Sequence, residues 1–317
     1  VCGREVSEEP RAPDLAEFAD VTRLATQLLR AEGSSSVHLD YPHIFAQENL
    51  AGIRVIGCDQ RIVALTATDR FVLRSGDRRL MLGGIGSVAT DARYQGRGFA
   101  SRLVEDACLR LADQGVAIAV LWSDIPEFYE RLGFRWAGTE LFFQLHSDLW
   151  QARRSLQRFR IGPVTPDDID QVDRLHRQLP VWHERCETLW KGFLSIPHSR
   201  FLGAWMDDQL FAYLAIGKGA DMVNHVHEWA GDGEALRLLV ESLFDRYHYE
   251  TITVMGPPIG HPFFDLLGTL VRPTVRPFGL IKTIREDLTR GVEIELPLDV
   301  GWRPREFPLY VWGFNSV

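Results

Sequence analysis

Cysteine is scarce in this 317-residue chain, with four in all, and Cys2, Cys58, Cys108 and Cys186 lie far apart without a C-x-x-C spacing. That argues against a disulfide framework or a zinc ribbon, and it predicts reduced thiols and a cytoplasmic location. Long apolar runs are missing too: no stretch of about 18 such residues exists, which excludes a transmembrane helix. The opening VCGREVSEEPRAPD is polar and acidic, unlike a secretory signal. Positive charge is in deficit. The net charge is −8, split about −5 and about −3 between the halves, so nucleic acid is not an expected partner. Only three of the 35 basic residues are Lys, a bias read as codon usage. What remains is ordinary for a globular protein, at 45% hydrophobic and 25% charged with 27 Gly and 16 Pro. At roughly 100–200 residues per domain the length predicts two domains, and either half is large enough to bury a core.

Apolar residues at helical spacing predict a helix over residues 13–32, after an Asp suited to capping. Ile53–Cys58, Arg61–Thr68 and Arg70–Leu73 read as short strands, with Asp59-Gln60 as a tight turn, and Leu80–Thr90 as a further strand, Gly-rich in its middle. Ala100, Leu103, Val104, Ala107 and Leu111 then form an amphipathic helical face. Val116–Trp122 is short and continuously apolar, as a strand buried on both faces should be. A short helix near Glu127–Leu132 ends at Gly133. The polar, Arg-rich stretch Gln151–Arg160 and the following IGPVTPDD mark a boundary, giving domains 1–150 and 151–317.

Shifting the chain by 135 residues lays Gly98 on Gly233, Ala100 on Ala235, Leu103 on Leu238, Leu132 on Leu267 and Gly133 on Gly268. The second half follows the same order. A helix is expected near 167–179, strands at Phe201–Trp205, Leu210–Ile216 and Met222–His227, and a helix at Glu234–Arg246. A strand at Thr251–Met255 and a short helix at Pro262–Leu267 complete the set. Matching elements in matching order predict a duplicated fold.

The chemistry concentrates at Gln95-Gly96-Arg97-Gly98-Phe99-Ala100, between a strand and a helix. Glycines let backbone approach a ligand closely, and a helix N-terminus offers unpaired N–H groups that favour an anion. The expectation is a phosphate or pyrophosphate cradle. A dinucleotide fingerprint needs a third Gly where Ser101 stands, and a P-loop needs Gly-Lys-Ser/Thr. A tight turn that binds nothing is the bland alternative.

These residues resemble the GNAT superfamily of acyl-CoA-dependent N-acetyltransferases. Gln95, Gly98 and Ala100 fill its Gln/Arg-x-x-Gly-x-Gly/Ala signature, and Phe128-Tyr129-Glu130-Arg131-Leu132-Gly133-Phe134 is close to its FYxxxGF segment. The resemblance is specific over about residues 80–138. It implies an α/β (α+β) fold of two tandem GNAT-type domains, each with a mixed central sheet flanked by helices. It also implies acetyl-CoA as co-substrate and a small-molecule or peptide amine as acceptor; nucleic acid and a membrane are already disfavoured by the charge balance and the short apolar runs, and no metal is expected. By the same resemblance Val88 and Thr90, with Ala89 between them, pair with pantetheine. Gln95, Gly96, Arg97, Gly98, Phe99 and Ala100, with Ser101 nearby, hold the pyrophosphate. Tyr129 protonates the departing thiolate, and an N–H near Thr90 stabilises the oxyanion. Many relatives carry a Glu on the fourth strand as base. LMLGGIGSVAT has none, which leaves Asp124 as one candidate and His38, Asp40, His43 and Glu48 in an earlier loop as others, each read first as a surface or capping residue. A non-catalytic acyl-CoA-binding protein and acyl transfer to a thiol or hydroxyl are the rival readings.

The repeat sets Ala230-Gly231-Asp232-Gly233-Glu234-Ala235 against the cradle and Phe264 against Tyr129. Two negative charges oppose a pyrophosphate and Phe has no proton to give, so the second half is expected to be silent and to shape the acceptor site. His225, His227 and Glu228 do not make a metal site on strand geometry. The tail, with its strand-like VEIELPL and its end PLYVWGFNSV, is expected to pack back on a domain. By resemblance to Eis-type acetyltransferases, the Val317 carboxylate would reach the active site.

Overall fold

The computed structural model describes residues 8–58, 61–150, 159–289 and 309–316. The Asp59-Gln60 turn, Cys2, VEIELPL and Val317 lie outside them. In the first half α1 (Phe18–Leu29) and the one-turn α2 (Val37–Asp40) precede three antiparallel strands, β1 (Ile53–Cys58), β2 (Arg61–Ser75) and β3 (Arg78–Thr90). Then come α3 (Phe99–Asp113), β4 (Ile118–Leu121), α4 (Pro126–Glu130) and β5 (Arg135–His146). The second half opens with β6 (Arg160–Pro163), α5 (Ile169–His176), β7 (Trp182–His183) and α6 (Glu187–Leu194). It continues with β8 (Arg200–Met206), β9 (Gln209–Lys218), β10 (Asp221–Gly231), α7 (Gly233–Asp245), β11 (Thr251–Gly256), α8 (Pro262–Gly268) and β12 (Thr274–Thr283). The order of elements therefore repeats, down to the parallel pairings β3–β4 and β10–β11.

The periodicities explain the packing. On α3 the stripe read from spacing is buried at Leu103, Val104, Ala107 and Leu111, joined by Phe99 and Cys108, with Ala100 only half-buried at the first turn. On β4, Ile118 and Val120 enter one cluster and Ala119 and Leu121 another, so this all-apolar strand is covered on both faces. The two runs expected at 61–68 and 70–73 are one strand. β2 continues through Asp69, a polar residue that ladder pairing with Gly84 holds in place.

The strands form a single sheet in the order β1-β2-β3-β4-β12-β5-β11-β10-β9-β8-β6, with β7 pairing on β2. The middle of this order departs from two side-by-side sheets. β12 stands between β4 and β5, and β5 between β12 and β11, all antiparallel. Each half thus lays its last strand beside the other half's parallel pair. Contacts between the halves recur away from the sheet. Arg30 reaches Asp40 and, on β10, Asp221, at 2.9 and 2.8 Å. The tail packs as expected: Leu309, Tyr310, Val311, Trp312 and Phe314 are all buried. Cys58, Cys108 and Cys186 form no disulfide, and no helix among the described residues is long and apolar enough to cross a membrane.

Candidate active site

β3 and β4 pair only at Leu82–Ile118, Gly83–Ala119 and Gly84–Val120. Beyond that row β3 runs on to Thr90 without β4 beside it, so the two strands part and leave backbone groups of Val88, Ala89 and Thr90 open to another partner. A bulge aims this segment: Leu65 faces Ala89 and Ala67 faces Gly86, so Ser87 and Val88 share one partner, Thr66. Ser87 takes φ +53° there. Thr90 Oγ1 is buried with no hydrogen-bond partner, the mark of a group that a ligand or water completes.

The chain then turns into α3. The Asp91 carboxylate accepts from the Arg93 N–H at 3.0 Å, and the Gln95 amide donates to the Thr90 carbonyl at 3.3 Å. Gly96 and Gly98 sit at φ +77° and +76°, and nothing lies within 4 Å of where a Cβ would be on either. Glycine is required here by backbone conformation, while the space in front of the loop is open. Gly98 is the N-cap of α3 and brings no side chain to it. The first-turn N–H groups, Phe99 to Ser101, therefore face outward without an intrahelical carbonyl. Arg97 lies over the Tyr94 ring at 5.1 Å, so its charge stands beside the loop. Opening, bulge and loop together fit an extended ligand that ends in an anion.

Tyr129 comes from α4, on the far side of the opening. Its side chain is buried against Phe128 and Phe134, with ring centroids at 4.8 and 6.0 Å, and belongs to the same apolar cluster as Val88 and Leu121. Burial raises its pKa, against a smaller pull from Ser123. The phenol is thus a proton donor at neutral pH. Asp124, just past β4, is exposed.

The second half shows the same opening differently furnished. β10 and β11 pair at His225–Thr253 and Val226–Val254 and then part. Trp229 lies across the gap, donating its indole N–H to the Met255 carbonyl at 3.0 Å, with Phe263, Phe264, His261 and Trp312 around it. At the following helix the Asp232 side chain accepts from the Ala235 N–H at 2.9 Å. The anion position at the start of α7 is taken by the chain's own carboxylate, and Glu234 is engaged with Arg237 at 2.8 Å. His225, His227 and Glu228 do not converge. Glu228 is paired with Arg185 at 2.7 Å, the His227 ring faces the Gly217 carbonyl at 3.0 Å, and no metal-binding cluster occurs among the described residues.

Of the early-loop candidates, Glu48 is exposed and the His38 ring meets the Ser36 hydroxyl at 2.7 Å. The other two are interior residues, not surface ones. Asp40 is fully buried against Arg30 and Ser35. The His43 side chain is 8% exposed, with its Nε2 3.8 Å from Asp69 Oδ2. Asp69 was not among the candidates. Its one sequence signal is an acidic residue in the middle of the apolar, β-branched run ALTATDRFVL. Beside it lie Lys218, buried and pulled down to about 7 by desolvation, and the tail. The Lys218 ammonium donates to the Gly313 and Ser316 carbonyls at 2.9 and 2.8 Å.

A sequence model described as "Acetyltransferase (GNAT) domain" matches residues 11–137. An uncharacterized N-acetyltransferase, YhbS, of Escherichia coli (strain K12) is 28% identical over 131 residues, which are 38% of this chain and 77% of that protein. Among solved structures, a GCN5-related N-acetyltransferase from Anabaena variabilis superposes with a TM-score of 0.66 at 17% identity, covering 87% of this chain and 73% of that one. A probable N-acyltransferase from Enterococcus faecalis gives 0.68 at 14% identity over 89% and 74%. Eis1 from Mycobacterium abscessus gives 0.58 at 15% identity over 87% and 73%. At these identities the solved structures speak for the fold.

Proposed function

We propose that the chain, whose residues 11–137 match the GNAT acetyltransferase domain, is a GNAT acyltransferase that moves an acetyl group from acetyl-CoA to a primary amine, using one site per chain. The observation that carries this reading is the contrast between the two openings. In the first half the gap between β3 and β4 leads to a glycine loop and an uncapped helix start. In the second, Trp229 bridges the gap and Asp232 caps the helix. Residues 1–150 are accordingly the catalytic unit. Residues 151–317 are a degenerate GNAT-like unit that closes the acceptor side.

Val88 and Thr90 would pair with the pantetheine arm as an added strand, Ala89 between them completing the edge. The N–H groups of Gln95, Gly96, Arg97, Gly98, Phe99 and Ala100, with Ser101 nearby, would take the pyrophosphate. Acetyl-CoA, when bound, supplies an activated thioester. A β3 N–H near Thr90 polarises its carbonyl, and Tyr129 gives its proton to the leaving sulfur. Asp124, the base expected from the sequence, is exposed just past β4 and is given no part in the proposed transfer.

Titration calorimetry of acetyl-CoA and CoA against the wild type and Gly98→Glu tests the site. Micromolar binding at one site per chain, abolished in the variant, is the expected outcome; no binding by the wild type sinks the enzyme reading. A panel of amines, thiols and alcohols with thiol-release detection then decides the acceptor.

A further inference from the structure

Asp69 lies on β2 in the row next to the opening between β3 and β4, with His43 beside it. The register places Asp69 opposite Gly84, and Gly84 opposite Val120, so Asp69 stands in the last fully paired row before the opening. Side chains alternate across a strand. Asp69 therefore shares its face with Ala67 and Phe71 on β2 and, across the ladder, with Gly84 and Gly86 on β3. Two glycines on that face leave a floor without side chains, running from Asp69 toward the bulge. The third glycine of the run has another reason. A Cβ on Gly83 would meet Leu111 at 2.8 Å, on the α3 side.

The roof over Asp69 is His43, whose two ring nitrogens are both buried and without a hydrogen-bond partner. Its ring packs edge-on against Phe193 of α6 at 5.3 Å. A buried imidazole with neither nitrogen satisfied is costly, and such exceptions call for a ligand, water or catalytic explanation. The charged groups that face the pair are Lys218 at the end of β9, Arg185 ahead of α6, and Arg70 beside Asp69. Burial and the cations Lys218 and Arg185 hold His43 well below the usual imidazole value, so it is neutral. Burial raises Asp69 to about 6, with Arg70 and Lys218 opposing.

We propose that Asp69 is the base that takes the proton of the acceptor amine, that His43 positions it, and that the acceptor is an ammonium held over Gly84 and Gly86. The assignment rests on the acetyl-transfer reading above. The ammonium proton passes to the Asp69 carboxylate. The freed nitrogen lone pair forms the C–N bond as the C–S bond breaks. The sulfur leaves with the Tyr129 proton, the second nitrogen proton returns to Tyr129 through solvent, and Asp69 discharges its own to solvent.

The test uses the full chain and the variants Asp69→Asn, His43→Gln and Asp124→Asn. Acetyl-CoA affinity by calorimetry should be unchanged in all three. With spermidine and a Lys-bearing peptide as acceptors, Asp69→Asn should lower kcat/KM at pH 7 by about 10²-fold or more, the usual scale of a positioned base. The defect should shrink at pH 9.5, where more of the amine is already neutral. His43→Gln should shift the acidic limb of the pH profile, which in the wild type falls near pH 6, and Asp124→Asn should do little. In the ligand-free protein, carboxyl-resolved NMR should find Asp69 titrating near 6. A normal Asp69 titration, or an Asp69→Asn defect equal at both pH values, overturns the proposal. Tyr129→Phe separates the failures. If it abolishes turnover while Asp69→Asn is active, only the base assignment falls. If the wild type neither binds acetyl-CoA nor releases thiol, the transfer reading falls with it.

Discussion

Tyr129 is held from three sides, by Phe128, Phe134 and the cluster that includes Val88, and desolvation keeps its hydroxyl protonated. Removing that oxygen separates proton delivery from binding. Tyr129→Phe is expected to lower kcat by about 10²- to 10⁴-fold while calorimetric acetyl-CoA affinity stays as it was. Glu140 on β5 offers a second residue-scale test. It is buried and raised to about 7, chiefly by desolvation, although the Tyr310 hydroxyl donates to it at 2.6 Å. A carboxyl raised in the native state costs nothing below its unfolded pKa, where both states are protonated. Stability is then lost as pH climbs from about 4.5 to about 7, by a few kcal/mol at most. Glu140→Gln keeps an acceptor for Tyr310 and removes the ionisation. Denaturant melts from pH 4 to 8 should show a flatter stability profile than wild type and a gain at pH 8. At this scale the sequence was legible in local conformation, as with Gly98, which takes the φ of +76° that glycine allows. It was silent on Asp69 and gave His43 only as one of four early-loop candidates, because their significance is that 26 positions of chain bring one under the other.

The elements were the most readable level. Strand and helix periodicities are local, so α3, β4, α7 and the short α8 stand where the spacing put them. β2 reads as two runs split at Asp69 because a polar residue inside an apolar run looks like a break, which tertiary pairing overrides, while β5, β6, β7, α6 and β12 were not read from the sequence at all. The helix starts carry their own prediction. Asp232 caps α7 through the Ala235 N–H, whereas α3 starts on Gly98 with no cap side chain. Asp232→Ala should therefore cost about 1 kcal/mol in urea unfolding. It should not create a second acetyl-CoA site, since Trp229 still spans the opening. A calorimetric stoichiometry above one per chain in that variant would show that the cap alone had silenced the second half.

At the scale of the whole molecule the halves are fastened by exchange of strands, by the Arg30–Asp221 contact and by the tail. The strand exchange and the Arg30–Asp221 contact were not readable locally, because which strand a strand pairs with is set by the entire chain. The packing of the tail was legible from its aromatics, but its route was not. Trp312 lies against Trp229 and Tyr310 and donates to the Val181 carbonyl at 3.0 Å. Gly313 is so close to His227 that a Cβ would stand 2.2 Å from its Nδ1. Trp312→Ala is expected to cost about 3–5 kcal/mol, measured by denaturant unfolding, and to loosen the acceptor side without removing acetyl-CoA binding. The place of β12 also bears on how the protein is made. The strand that walls β4 on its free side, residues 274–283, is synthesised long after β4 itself, which ends at Leu121. Until it arrives, the nascent chain has a complete glycine loop and its tyrosine but an unfinished sheet. The emerging first half therefore has an open β4 edge that must be shielded from neighbours until its own distant strand fills it.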